Sequence, residues 1–113
     1  MAKFDMQLDV LFTALGDPTR RAILSRLARG PASVSELAAP HDMALPSLMG
    51  HLKKLEEAGL ISSHKDGRVR ICTLNPAAFA PAQDWLSEQR AIWTTRLDQL
   101  DDYVTQLMQE TRK

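Results

Sequence analysis

Apolar residues recur at the spacing of helix faces through the first half of the chain. The first predicted helix covers about residues 5–15, and its apolar positions lie four, three and four residues apart: Phe4, Leu8, Leu11 and Leu15. Gly16 ends this helix. Asp17 and Pro18 begin a second helix, because aspartate is favoured as an N-cap and proline at the first helical position. The second helix ends at Gly30-Pro31.

A short helix and a longer one follow, with a break between them. Ser33 and Glu36 have the spacing of a capping box, which predicts a helix over about 34–39. A turn over 39–43 separates it from a fourth helix at about 45–58. The apolar side of the fourth helix consists of Leu48, Leu52 and Leu55. Short helices, a tight turn and a helix with a polar outer side are typical of a helix-turn-helix.

Residues 60–74 change to the alternating pattern of β-strands. Two short runs flank Asp66-Gly67, a dipeptide that favours a two-residue hairpin turn. With that turn, Lys65 faces Arg68 across the hairpin, and basic side chains gather near its tip: Lys65, Arg68 and Arg70. The fold class predicted by the whole pattern is mainly α with a small β-hairpin.

The last third of the chain predicts one long helix, since residues 82–111 contain neither glycine nor proline. Its apolar residues lie seven, four, three, four and three positions apart, as in a coiled-coil seam. These residues are Leu86, Trp93, Leu97, Leu100, Val104 and Leu107. Arg90 occupies the seam position between the first two of them. We expect this stripe to pack against a second chain, because it is long for so small a core.

Composition restricts the class of protein. A chain of 113 residues with 44% hydrophobic and 25% charged residues is typical of one globular domain. The sequence has no apolar run that could span a membrane and no apolar signal core at its N-terminus. Its one cysteine, Cys72, cannot form an internal disulfide. We therefore expect a cytoplasmic protein in which Cys72 is a buried, unreactive thiol.

The formal net charge of zero argues, by itself, against binding to nucleic acid. The charges are unevenly distributed, however: residues 1–83 contain ten basic and eight acidic residues, and residues 84–113 contain four and six. Phosphate binding depends on a local basic patch more than on the total charge. Arg20 and Arg21 lie at the start of the second helix, where the helix dipole disfavours cations. We therefore expect each arginine to have a separate partner, either an acidic side chain or a phosphate, and we favour the acidic side chain.

Residues for catalysis or metal binding are sparse. The sequence contains no nucleophile–base pairing, phosphate-binding loop or metal motif, and its three histidines lie far apart: His41, His51 and His64. We therefore expect neither an enzyme nor a bound cofactor.

Four segments, in order, resemble the ArsR-type winged-helix repressors. They are residues 15–24, 35–38, 51–61 and 66–68, which read LGDPTRRAIL, SELA, HLKKLEEAGLI and DGR. The tail resembles a branch of that family without metal-binding cysteines, through Trp85, Arg90, Trp93, Arg96, Leu97 and Tyr103. The third helix has no Cys-x-Cys and the last helix has no histidine, so the metal sites of other relatives are not expected here.

The resemblance implies one winged-helix DNA-binding domain over residues 1–113. Its parts would be dimerisation helices at 1–15 and 82–111, a helix-turn-helix at 33–58 and a wing at 60–75. The fourth helix would enter the major groove of double-stranded DNA, and the wing would reach the backbone or minor groove. The residues implied in DNA binding are Leu45, Pro46, Ser47, Met49, Gly50, His51, Lys53, Lys65, Arg68 and Arg70.

The resemblance further implies a homodimeric repressor of transcription, which would bind a near-palindromic operator. The dimer interface would contain Leu8, Leu11, Leu15, Trp93, Leu97, Leu100, Val104 and Leu107. A candidate pocket for a small-molecule effector would be outlined by Trp85, Arg90 and Trp93.

A second interpretation stays open. Relatives often carry serine at the position of Met49 and a polar or basic residue at that of Gly50. These two departures and the zero net charge permit a winged-helix protein-interaction module without DNA binding.

Overall fold

The computed structural model describes the backbone of residues 3–111 and the side-chain environment of residues 6–111. Helices α1 and α2 come first, then a short strand and α3, then α4, a two-stranded hairpin, a 3₁₀ turn and α5. The elements are α1 Lys3–Leu15, α2 Pro18–Leu27, β1 Ala32–Ser33, α3 Val34–Ala38, α4 Leu45–Glu57, β2 Ile61–Asp66, β3 Val69–Leu74, the 3₁₀ turn Pro76–Phe79 and α5 Ala80–Thr111. The side chain of Phe4, counted above with the first helix, lies outside the described residues.

The chain divides into two units, one ending at Ala82 and the other beginning at Gln83. The first unit has a core to which α1, α2, α3, α4 and all three strands contribute. Its buried apolar residues are Leu11, Ala14, Ile23, Leu24, Leu27, Ala32, Leu37, Leu48, Leu52, Leu55, Leu60, Ile61, Cys72 and Ala82. The second unit is the remainder of α5. No helix within residues 3–111 combines the length and apolar character needed to cross a membrane.

Capping residues define where α2 and α3 begin. The Asp17 side chain accepts a hydrogen bond from the backbone N–H of Arg20, so α2 begins at Pro18 as predicted. Ser33 and Glu36 form both bonds of a capping box at the start of α3. The helix-turn-helix predicted over 33–58 is therefore formed by α3, a turn and α4, and the predicted fold class is confirmed.

The hairpin has a different register from the one predicted. Asp66 pairs with Val69, so Gly67 and Arg68 form the two-residue turn and Lys65 faces Arg70. Gly67 has a φ of 67°, and no other described residue except a glycine has positive φ. A turn with positive φ only at its first central position needs one glycine, whereas a type I′ turn centred on Asp66-Gly67 would force Asp66 into positive φ as well. The predicted pairing of Lys65 with Arg68 was therefore wrong.

A third strand extends the hairpin into a sheet of order β1-β3-β2. Its two residues, Ala32 and Ser33, pair with Cys72 and Ile71. The sequence pattern missed this strand because two residues show no alternation. The strand brings the N-terminus of α3 next to β3, and this places the helix-turn-helix beside the wing.

Candidate nucleic-acid interface

Helix α4 has one buried side and one exposed side. Leu48 and Leu55 are fully buried and Leu52 nearly so, which fixes the rotation of the helix about its axis. Most residues predicted to contact DNA lie on the exposed part of the helix surface: Leu45, Pro46, Ser47, Met49, Gly50 and Lys53. The buried leucines therefore fix α4 in place, while the exposed side chains on its other side are not needed for packing within the chain.

Gly50 lies on the exposed side of α4. A Cβ atom built on this glycine would meet no described atom within 4 Å, so packing within the chain does not require glycine here. Glycine inside a helix nevertheless costs about 1 kcal/mol relative to alanine. The exposed backbone at Gly50 is thus open to close approach by another molecule.

His51 lies at the edge of this surface and is half-buried. Its Nδ1 atom lies 3.1 Å from Nη1 of Arg20 and 3.8 Å from Oδ2 of Asp17. The backbone N–H of Arg20 donates to the Asp17 carboxylate, and this bond lowers the pKa of Asp17. His51 thus belongs to a network with α2, in addition to its predicted place on the DNA-facing helix.

The side chains of Arg20 and Arg21 cap the end of α1. Arg20 donates from Nε to the carbonyl oxygen of Ala14 and from Nη2 to that of Thr13, at 2.8 and 2.9 Å. Arg21 donates from Nη1 to the carbonyl oxygen of Leu15 at 2.8 Å. The last carbonyls of a helix lack partners within it and carry partial negative charge. The acidic partners expected for these two arginines are therefore replaced by backbone carbonyl groups.

The wing carries its basic residues in two different situations. Lys65 and Arg68 are exposed at the tip of the hairpin. Arg70 donates from Nη1 to the Ser63 hydroxyl at 2.9 Å, and that hydroxyl donates to Glu56 of α4 at 2.7 Å. Arg70 is therefore tied to the end of α4, whereas Arg68 is held only by the turn.

A groove of about 280 Å³ separates the wing tip from the helix-turn-helix. It is lined by Ser33, Val34, Ser35, Met49, Arg68, Val69 and Arg70. The groove shows that side chains of α4 and of the wing lie on one continuous surface. The exposed side of α4, this groove and the wing tip are called the reading surface below.

Two further predictions concern cysteine and metal binding. Cys72 is 1% exposed on β3, as expected for a buried thiol, and burial raises its pKa. Among residues 6–111, no three histidine, cysteine, aspartate or glutamate side chains lie close enough together to hold a metal ion.

The residues predicted for the dimer interface fall in two groups. Those on α5 are all exposed: Trp93, Leu97, Leu100, Val104 and Leu107. On α1, Leu8 and Leu15 are half-buried, but Leu11 is 1% exposed and packs in the core of its own chain. Leu11 thus has almost no surface left to offer a second chain, and it is omitted from the interface proposed below.

The residues of the predicted effector pocket, Trp85, Arg90 and Trp93, lie on α5 and are exposed. The clefts found in the first unit are lined by other residues. One cleft of about 260 Å³ lies between α1 and α4, and one of about 330 Å³ lies between α2 and the turn after α3.

Comparison with known proteins agrees with this geometry. Residues 15–64 match a family model described as a helix-turn-helix domain. The chain is 38% identical over 89 residues to the HTH-type transcriptional regulator Rv2034 of Mycobacterium tuberculosis, covering 79% of this chain and 80% of that one. It is 33% identical over 76 residues to the transcriptional repressor SdpR of Bacillus subtilis, covering 67% and 84%.

Solved structures give the same result. The crystal structure of an ArsR family transcriptional regulator superposes with a TM-score of 0.77 at 54% identity, covering 83% of this chain and 97% of that one. An ArsR-like regulator from Rhodococcus sp. RHA1 superposes with a TM-score of 0.73 at 30% identity, covering 88% and 93%. This chain therefore belongs to the ArsR family of winged helix-turn-helix transcriptional regulators.

Proposed function

We propose that this protein is a sequence-specific DNA-binding repressor of transcription that acts as a homodimer. The observation that carries this proposal is the reading surface: an exposed helix side, fixed in rotation by buried leucines, lies beside a basic wing tip. DNA recognition needs such an arrangement, because a helix must enter the major groove while basic groups hold the backbone. The name of SdpR, a transcriptional repressor, supports the same function.

The residues of the reading surface suit different kinds of contact. The hydroxyl of Ser47 and the ammonium group of Lys53 can donate to base edges or phosphates, and Met49 can contact a thymine methyl group. Without a side chain, Gly50 lets the helix backbone approach the duplex. Arg68 at the wing tip serves as a phosphate or minor-groove contact.

Arg70 has a different task from Arg68 in this proposal. Its guanidinium group is bound to Ser63, which is bound to Glu56 at the end of α4. Arg70 therefore supports the position of the wing relative to α4, and its remaining donors are available to a phosphate.

The homodimer would use the apolar seam of α5 together with Leu8 and Leu15 of α1. All six of the predicted apolar seam residues of α5 are exposed in the single chain, so a second copy would remove them from water. A twofold dimer presents two α4 helices, and a spacing of about 34 Å would match one turn of the duplex. The operator would then be near-palindromic.

The test is selection of bound sequences from random duplexes, followed by titration of the selected duplex at several salt concentrations. We expect one enriched, near-palindromic sequence and a log–log salt slope of about −0.9 per phosphate contacted. Arg68→Ala should reduce affinity for all sequences, and Ser47→Ala should change the base preference at one position of each half-site.

A charge-matched control is Arg29→Ala. Arg29 is exposed at the end of α2 and lines the cleft beside His41, outside the reading surface. Its loss lowers the net charge as much as the loss of Arg68 does and should leave operator affinity nearly unchanged. If Arg68→Ala and Arg29→Ala weaken binding equally, the wing is not a specific contact. If no duplex is retained at low salt, the protein-interaction module becomes the better interpretation.

A further inference from the structure

Arg20 is a buried cation of the first unit, and each of its three guanidinium nitrogens has a neighbour on another element. Arg20 is 7% exposed. Nε and Nη2 are bound to carbonyl oxygens at the end of α1, and Nη1 lies 3.1 Å from Nδ1 of His51 on α4. One side chain therefore joins the end of α1 to α4.

The chemistry of this contact determines where the imidazole carries its proton. A guanidinium group has only donors, so Nδ1 of His51 has to accept the hydrogen bond from Arg20. An imidazole that accepts a hydrogen bond at Nδ1 is neutral and carries its proton on Nε2. The opposite nitrogen of the ring is thus a hydrogen-bond donor.

Asp17 would favour the opposite tautomer, because its carboxylate can only accept. Its Oδ2 atom lies 3.8 Å from Nδ1, which is beyond hydrogen-bond length, whereas Arg20 is at 3.1 Å. The Asp17 carboxylate is also already engaged by the backbone N–H of Arg20. The shorter distance therefore favours Arg20 as the partner of Nδ1.

We propose that Arg20 is a positioning residue of the reading surface. By donating to Nδ1, it fixes the ring of His51 and presents Nε2–H to a hydrogen-bond acceptor oxygen or nitrogen of DNA. This proposal rests on the proposed DNA-binding function. It also gives α1, one of the proposed dimerisation helices, a direct hydrogen-bonded connection to α4 through Thr13, Ala14 and Arg20.

The first experiment needs no DNA. A long-range proton–nitrogen correlation spectrum of the free protein, recorded at a pH of about 8.5 so that imidazoles are neutral, reports which ring nitrogen of each histidine carries the proton. His51→Asn identifies the His51 signals among those of the three histidines. We expect a proton on Nε2 alone in the wild type and a mixture of both tautomers in Arg20→Met. A proton on Nδ1 of the wild type would overturn the proposal.

The second experiment measures operator affinity in a double-mutant cycle. Arg21→Met is the matched control, because Arg21 also caps α1 but does so through the carbonyl oxygen of Leu15, without the contact to His51 that Arg20 makes. We expect Arg20→Met to weaken binding about tenfold and Arg21→Met about twofold or less. In the His51→Asn background, Arg20→Met should lose its additional effect and match Arg21→Met.

Two further variants separate positioning from general loss of structure. The Asn oxygen in His51→Asn can replace Nδ1 as the acceptor for Arg20 but offers no donor at the Nε2 position. We expect thermal stability close to that of the wild type and weaker operator binding. Arg20→Lys keeps the charge without the planar fork of donors, so it should not restore affinity.

The outcomes distinguish the two proposals. A wild-type protein that retains no duplex contradicts the DNA-binding function, whatever the tautomer of His51. A wild-type protein that binds its operator, with additive losses from Arg20→Met and His51→Asn, contradicts the role of Arg20 alone. If Arg20→Met does not fold, the wild-type spectrum and the affinity of His51→Asn still decide. The base preference of His51→Asn shows whether a base edge or a phosphate is contacted, since only a base contact changes it.

Discussion

The two units of this chain use their apolar residues in opposite ways. The first unit, which ends at Ala82, buries an apolar core. From α2, α3 and α4 this core includes Ile23, Leu24, Leu27, Leu37, Leu48, Leu52 and Leu55. In the second unit every residue from 83 to 111 is exposed. The large apolar residues among them are Trp85, Leu86, Ile92, Trp93, Leu97, Leu100, Tyr103, Val104, Leu107 and Met108.

This difference indicates where each unit obtains its stability. A helix in water depends mostly on packing of its apolar side and little on intrinsic propensity. The first unit supplies that packing itself, whereas α5 beyond Ala82 needs a surface from elsewhere. If that surface belongs to a second copy of the chain, stability of the two units should respond differently to protein concentration.

The largest effect is expected from charges in the α5 seam. Leu97→Asp together with Leu100→Asp should abolish the dimer and reduce operator affinity by about a hundredfold or more, because two linked half-site contacts become independent. Sedimentation velocity and operator titration measure both. Gln99→Asp with Gln106→Asp adds the same charge on the other side of the helix and should leave the dimer intact. A dimer of unchanged mass in the seam variant would refute the assignment of the interface.

A core substitution tests the first unit. Leu55 on α4 is fully buried, so Leu55→Ala should lower the free energy of unfolding by about 2–5 kcal/mol. Denaturant unfolding at two protein concentrations measures the loss. The decrease should be similar at both, whereas Leu100→Ala should act most strongly at the lower concentration. If the loss of stability depends on protein concentration equally in Leu55→Ala and Leu100→Ala, the two units do not differ in how they are stabilised.

A substitution on the exposed side of α4 should change stability by a smaller amount and in the opposite direction, raising it. Gly50→Ala should raise the free energy of unfolding by about 1 kcal/mol, since alanine is the better helix former and the added Cβ meets no described atom. The same variant should bind the operator more weakly, because the methyl group occupies the space that the duplex would approach. Thermal unfolding and operator titration give the two numbers. A variant that is more stable and binds equally well would show that DNA does not approach Gly50 closely.

The smallest effect concerns pH and the start of α3. The backbone N–H of Ser33 donates to the Glu36 carboxylate and lowers its pKa from the ordinary value of 4.5. A carboxyl group with a lowered pKa stabilises the fold above that ordinary value, and this contribution disappears as pH falls through the folded-state pKa. Glu36→Gln should therefore lose less stability than the wild type when pH is lowered from about 5 to about 3. Urea midpoints across this range measure the difference, and parallel curves would contradict it.

The predictability of the fold depended on how local each signal was. The starts of α2 and α3 were predicted because capping residues and proline act within one helical turn. Strand β1 was missed, and the hairpin turn was placed one residue too early, since the dipeptide Asp66-Gly67 does not reveal which residue takes positive φ.

The sequence named residues that lie on or beside the reading surface, but not the hydrogen bonds that link them to the rest of the fold. Family resemblance implied His51 and Arg70, but the links of His51 to Arg20 and of Arg70 to Glu56 join residues whose separation shows no periodic signal. Arg20 and His51 are 31 positions apart. An arginine at an unfavourable end of α2 did indicate a missing partner, and only the tertiary structure identified that partner as α1 and α4.

The bonds from Glu56 through Ser63 to Arg70 also bear on the entropy of DNA binding. A free arginine side chain loses about 2 kcal/mol of rotamer freedom when it is immobilised. Here Arg70 is bound to Ser63 within the free chain, so folding already restricts its rotamers, and the proposed contact with DNA would lose less entropy. Within residues 6–111 no such bonds hold Arg68, so it would have to be ordered on binding in the proposed complex. Between two neighbouring arginines of one wing, the one already held by bonds within the chain would thus contact DNA at the smaller entropic cost.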